Sequence, residues 1–164
     1  MAIFVSGNPG SGKSTLTAEL LRRGVHAVDA DEADGLAGWM NADGQVVGDS
    51  SAIPTPELLK DCYWGWSPLR IDQLITDLGP RGVLLGIAAN QWDYLRRFDD
   101  LVLLELDADT QRERVSARHP LFQEQIRAGL PVFQARMIEH GALRISATRP
   151  TTAIAQAVIA HLRD

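Results

Sequence analysis

The sequence predicts an α/β fold of three layers, with a five-stranded parallel sheet held between two layers of helices. Three observations predict it. Short apolar runs alternate with helix-length segments along the chain, a pattern that sets parallel strands side by side with crossover helices on both faces. A glycine-rich turn follows the first run and opens the first helix. The alternation breaks only once, from about residue 30 to 66, with no repeat or linker, so 1–164 is expected to be a single domain.

Ala2-Ile3-Phe4-Val5 reads as the first buried strand, and Thr15 to Arg23 as the opening turns of an amphipathic helix. Between them, Gly7-Asn8-Pro9-Gly10-Ser11-Gly12-Lys13-Ser14 satisfies G-x-x-x-x-G-K-[ST] at every fixed position. Strand, turn and helix then aim backbone N–H groups and a helix N-terminus at one point, which makes an anion cradle. Lys13 supplies a point charge for the β- and γ-phosphates, and the Ser14 hydroxyl is placed to ligate Mg²⁺. Gly7 through Ser14, with Thr15, form the expected ATP site of a P-loop NTPase fold, so ATP and Mg²⁺ are the expected cofactors.

Val25–Asp29, Val83–Ile87, Leu101–Leu106 and Leu143–Ser146 read as strands two to five. Helices are expected over Ser67–Leu78, Ala89–Arg97, Ala108–Arg118, roughly Val132–His140, and Thr151–Leu162. The insertion at about 30–66 carries an Asp43-Gly44 turn between short runs, a hairpin signal, and then the aromatic run Tyr63-Trp64-Gly65-Trp66. In a small phosphotransferase such an insertion covers the acceptor. Its tryptophans either contact the acceptor, with Trp66 the residue named for that role, or form a small core of the insertion itself.

Asp29 and Asp31 close the second strand as Asp-x-Asp, beside the glycine-rich loop. Residues two apart on a strand point to the same side. Asp29 is read as the metal-side carboxylate and Asp31 as the base that takes a proton from an attacking hydroxyl. Strand three ends without an acid, in Gly86-Ile87-Ala88-Ala89-Asn90-Gln91. Gly86 would let substrate approach the backbone closely, while Asn90 either offers its amide to the acceptor or caps the next helix. Arg114 and Arg118 lie four apart on one helix face. Arg114 is expected at ATP and Arg118 over the transferring phosphoryl group. The segment from about 119 to 131 would be a short lid. The acceptor is a small-molecule hydroxyl or, alternatively, a nucleoside monophosphate, for which Arg70 and Arg127 are available. A nucleotide-hydrolysing switch is the third reading.

Composition narrows the partners. A net charge of −5 argues against general nucleic-acid or anionic-membrane binding. Cys62 is the sole cysteine, which suits a reducing compartment. With no leader-like segment ahead of the first strand, a cytoplasmic monomer or weak homodimer is expected. Of 16 basic residues only Lys13 and Lys60 are lysines, so the loop lysine is not drawn from a lysine-rich background.

Taken in order, GNPGSGKST (7–15), VDADE (28–32), GIAANQ (86–91), FDDLVLLEL (98–106), the Arg114/Arg118 pair and ATRP (147–150) resemble the shikimate-kinase and nucleoside-monophosphate-kinase-like group of P-loop kinases. Short bacterial kinases labelled as AAA-family ATPases are the nearest resemblance within it. The resemblance implies that Asp29 and Asp31 serve Mg²⁺ and the acceptor hydroxyl. It implies that Arg149 and Pro150 belong to an adenine loop, and that Arg127 grips an anionic acceptor. Gly86-Ile87-Ala88 stands where the family carries its shikimate-recognising glycine pair.

Overall fold

In the computed structural model, which describes residues 2–163, eight strands and six helices follow in the order β1 (Ile3–Ser6), α1 (Lys13–Arg22), β2 (Ala27–Asp29), β3 (Ala37–Met40), β4 (Val46–Gly48), α2 (Pro56–Asp61), β5 (Tyr63–Trp66), α3 (Pro68–Leu78), β6 (Val83–Gly86), β7 (Asp100–Glu105), α4 (Ala108–Arg114), α5 (Pro120–Glu139), β8 (Leu143–Ser146) and α6 (Thr151–Arg163). Five strands form one sheet in the order β2-β6-β1-β7-β8, parallel at every pairing. This is the expected three-layer α/β/α class.

β1 lies at the centre, with Ile3 opposite both Val83 and Asp100, and all four of its residues are buried. Its apolar residues are therefore divided between the two faces by the period of two. Ile3 and Val5 pack with Leu16 and Leu20 of α1 and with Ile154 and Val158 of α6. Phe4 points the other way, into a core with Trp66, Ile71 and Leu95. Leu103 joins Phe133 and Met137 of α5.

The insertion folds as a three-stranded antiparallel sheet, β4-β3-β5, with the expected hairpin turning through Asn41–Gly44. Asn41 Oδ1 accepts from the Asp43 and Gln45 N–H groups, and Gly44 takes a positive φ of 76°, open to glycine at little cost. This small sheet is joined to the loop that follows β6 by three hydrogen bonds. The Ala89 N–H donates to the Trp64 carbonyl at 2.8 Å, and the Asn90 amide bonds both the N–H and the C=O of Trp66, at 2.9 Å each.

Three expected helices differ: Ala89–Arg97, Ala108–Arg118, and roughly Val132–His140, which begins at Pro120. Ala89–Arg97 is not an α-helix but two short 3₁₀ turns, Gln91–Asp93 and Leu95–Arg97. Ala89 and Asn90 are committed to β5, and Gln91 Oε1 accepts from the Ala88 N–H and from Ser6 Oγ, so the chain cannot wind continuously. Ala108–Arg118 stops at Arg114, and α5 begins at Pro120, where the ring suits the first helical position and the His119 side chain accepts from the Leu121 N–H. The segment expected as a lid is thus the first half of α5. Pro131 sits inside this helix on its exposed side and removes one backbone bond without ending it.

Candidate active site

The glycine-rich loop leaves β1 at the carboxyl edge of the sheet, where ligands of open α/β folds collect. Gly10 and Gly12 both take φ of 90°, a region that residues with side chains rarely adopt. Gly7 has another reason to lack a side chain: a Cβ there would stand 2.5 Å from Ser11 Oγ. Lys13, 8% exposed, curls back so that Nζ donates to the Gly7 carbonyl at 2.6 Å. Burial pulls its pKa down to about 8, against the opposing pull of Asp31 and Asp29, while Arg118 adds to the lowering. Asn8 Nδ2 and Ser11 Oγ are buried without a hydrogen-bond partner, which leaves two polar groups of the cradle unsatisfied.

Beside the cradle, Asp29 ends β2 and is 5% exposed. Its Oδ2 accepts from Ser14 Oγ at 2.6 Å, and its Oδ1 accepts from the Asp31 N–H at 3.0 Å. Serine hydroxyl and buried carboxylate form an all-oxygen pair of the kind Mg²⁺ takes from protein when phosphates supply further ligands. Among the described residues no cluster of three or more His, Cys, Asp or Glu could hold a metal by itself. Asp31 is solvent-accessible but crowded. Desolvation is the largest influence and raises its pKa, opposed by Lys13, by the Trp64 hydrogen bond and by Arg118, with Asp29 raising it further. Trp64 Nε1 donates to Asp31 Oδ1 at 3.1 Å. Lys13, Asp29, Asp31 and Arg118 therefore share one local field.

On the other side of the loop a cavity of about 280 Å³ is lined by Gly10, Gly12, Thr15, Arg114, Ala147 and Arg149, among others. One Arg114 nitrogen, Nη1, donates to the Gly10 carbonyl at 3.0 Å and to the Ala147 carbonyl at 3.2 Å. Pro150 precedes α6 and its carbonyl accepts from the Ala153 and Ile154 N–H groups. The structure thus brings Thr15, Arg114 and Arg149 to one cavity at the loop, with the Asp29–Asp31 pair on the Lys13 side.

Several residues expected at the acceptor lie elsewhere. Trp66 is fully buried, with its ring edge-on to Phe4 at 5.5 Å between centroids. It is core, since the docking of the small sheet sets it among Phe4, Ile71 and Leu95 beneath the parallel sheet. Gly86 is glycine because Ala30 and Trp66 crowd it: an added Cβ would lie 2.6 Å from Ala30 Cβ and 3.0 Å from Trp66 Cζ2. The close approach there is made by protein. Asn90 neither caps a helix through its side chain nor offers a free amide, because both ends bond Trp66. Arg70 is exposed and donates from Nε and Nη2 to the Asp34 carbonyl. Arg127 lines a separate cavity of about 600 Å³ with Leu106, Asp107, Leu130 and Gln134, because the lid segment is helical and turns this position away.

Trp39 and Phe122 escaped assignment, and the sequence leaves Trp64 between the acceptor and a small core. Trp64 bonds Asp31, and Trp39 packs edge-on against Trp64 at 5.7 Å and stacks on Phe122 at 5.8 Å. The first turn of α5 thereby touches the small sheet. Tyr63-Trp64-Gly65-Trp66 carried the signal, but two aromatics in alternation do not reveal which one meets the cleft.

No family model matches the sequence, and no curated protein matches it in sequence either. Solved structures do match. Shikimate kinase from Acinetobacter baumannii in complex with shikimate superposes at a TM-score of 0.59 and 14% identity, over 99% of this chain and 92% of that one. Deoxyadenosine kinase from M. mycoides with bound dATP gives 0.56 and 12%, over 100% of both chains. The chain has the P-loop kinase fold. Shikimate kinase from Aquifex aeolicus, at 0.55 and 16% over 99% of this chain and 96% of that one, has the same architecture. At such identities this likeness establishes the fold.

Proposed function

We propose that this protein is a MgATP-dependent kinase that transfers the γ-phosphoryl group of ATP to a hydroxyl of a small molecule. The observation that carries the reading is the geometry at the cradle: Lys13 curls onto the Gly7 carbonyl, Ser14 donates to Asp29, and Asp31 Oδ1 is held by Trp64 with its second oxygen left for a proton. Ser14 and Asp29 would hold the metal, whose charge would stabilise the transferring phosphoryl group. Asp31 takes the acceptor proton as the new O–P bond forms and the bond from the γ-phosphorus to the bridging oxygen breaks, with ADP as the leaving group. Lys13 and Arg118 oppose the negative charge spread over the equatorial oxygens. Arg114 and Arg149 bound the space for the base. The first half of α5, near 119–131, would exclude water from the transferring group.

The solved kinases named for shikimate and deoxyadenosine support a small-molecule acceptor. A nucleoside monophosphate would need arginines around its phosphate. Arg70 is turned to the Asp34 carbonyl and Arg127 to the second cavity, so the hydroxyl reading is favoured.

The test is acceptor-dependent ADP release from MgATP across polyols, sugars, hydroxy acids, nucleosides and nucleoside monophosphates, with ³¹P NMR of the product. A hydroxyl compound should stimulate release strongly and appear as its phosphate ester. Stimulation by monophosphates alone would move the assignment to the nucleotide kinases. Acceptor-independent hydrolysis that no compound accelerates would favour a switch.

A further inference from the structure

We infer that Trp64 is a positioning residue for Asp31, holding one carboxylate oxygen so that the other faces the acceptor hydroxyl. This rests on the kinase reading above. An aspartate at an accessible site can turn about χ1 and χ2, and here Lys13 and Arg118 both attract it. Yet no ion pair found among the described residues includes Asp31. What bonds its side chain is the Trp64 indole N–H, 3.1 Å from Oδ1. An indole N–H only donates, so it can orient the carboxylate and can never compete for its proton.

The donor is itself fixed. Trp64 pairs with Trp39 across β3 and β5, and its carbonyl accepts from Ala89 in the loop that follows β6. The neighbouring Trp66 is held at both backbone groups by Asn90. The Trp64 ring packs against Trp39, which in turn stacks on Phe122. The backbone of Asp31 is held as well, by its N–H to Asp29 Oδ1. The carboxylate is thus located from two frames, β2 and β5, and a small displacement of a reacting group can cost as much as about 10²-fold in rate.

Two measurements test this, using MgATP with water as the acceptor. The first is a double-mutant cycle on hydrolysis with Trp64→Phe and Asp31→Ala. Trp64→Phe keeps an aromatic ring, removes the N–H and should slow turnover about tenfold with MgATP affinity unchanged. Combined with Asp31→Ala it should add less than about twofold, because nothing is left to position. The second is the ¹⁵N spectrum, where the chain's four tryptophans give four indole signals. Asp31→Ala should move the signal that Trp64→Phe deletes and leave those of Trp66 and Trp92 in place, which also reports an intact fold. Additive effects in the cycle, or an unmoved Trp64 signal, overturn the positioning role and leave the kinase reading standing. If Lys13→Ala abolishes hydrolysis while Asp31→Ala runs at the wild-type rate, the base and its positioning fall together.

Discussion

Replacing Gly86 by alanine separates a packing role for this glycine from a substrate-binding one. The added methyl carbon would sit 2.6 Å from Ala30 Cβ and 3.0 Å from Trp66 Cζ2, where carbon pairs settle at about 3.5–4.0 Å. Neither neighbour is free to retreat. Ala30 is fully buried, its N–H bonded to the Leu85 carbonyl, and Trp66 is wedged against Phe4 with its backbone held by Asn90. Overpacking of this kind costs about 1–3 kcal/mol. For a domain of this size that corresponds to a Tm lowered by about 3–10 °C. Thermal and urea unfolding of the purified variant, with MgATP binding as a control, would measure it. Adding Ala30→Gly to Gly86→Ala removes the 2.6 Å partner and should restore most of the loss. A Gly86→Ala protein that unfolds like the wild type and loses only turnover would refute the argument and return Gly86 to the substrate.

Three further outcomes are expected. Lys13→Met should abolish turnover yet raise the melting temperature by a few degrees, because burial disfavours the charge that methionine lacks; turnover above about a tenth of wild type, a loss under about 1.4 kcal/mol, would refute the role of Lys13. Asp31→Asn should cost about 10²–10⁴-fold in turnover on the identified hydroxyl acceptor with ATP affinity preserved in calorimetry, and a near-normal rate would remove the base. Arg118→Ala should lower turnover far more than it weakens nucleotide binding, since its charge is needed where negative charge spreads during transfer; steady-state kinetics beside a direct binding measurement would show the opposite pattern if Arg118 only anchors ATP.

What was legible in the sequence followed from local rules. Gly10 and Gly12 need positive φ, Lys13 and Ser14 follow at fixed spacing, and five apolar runs become five parallel strands. Asp29 and Asp31 were placed beside the loop because strand ends in such sheets share one edge. What failed depended on long-range partners. Asn90 reads as a cap or a ligand until Trp66 is known to lie beside it, and that contact is what keeps Ala89–Arg97 from becoming an α-helix. Trp64 and Trp66 share a parity on β5, so only the docking of the small sheet decides that one meets Asp31 and the other Phe4. Gly129 and Pro131 look like helix breakers, yet Leu130, Phe133 and Met137 give α5 a buried stripe that outweighs them.

The Asn90 side chain has a consequence for what this protein avoids. β5 is an outer strand of its sheet, and exposed outer strands recruit other chains through unpaired N–H and C=O groups. At Trp66 both of these groups are taken by one side-chain amide, and the Trp64 carbonyl is taken by Ala89. A side chain here does the work of a neighbouring strand and blunts an apolar, aromatic edge that would otherwise invite self-association. Any transfer of this insertion onto a related scaffold would have to carry Asn90 with it, or leave that edge open.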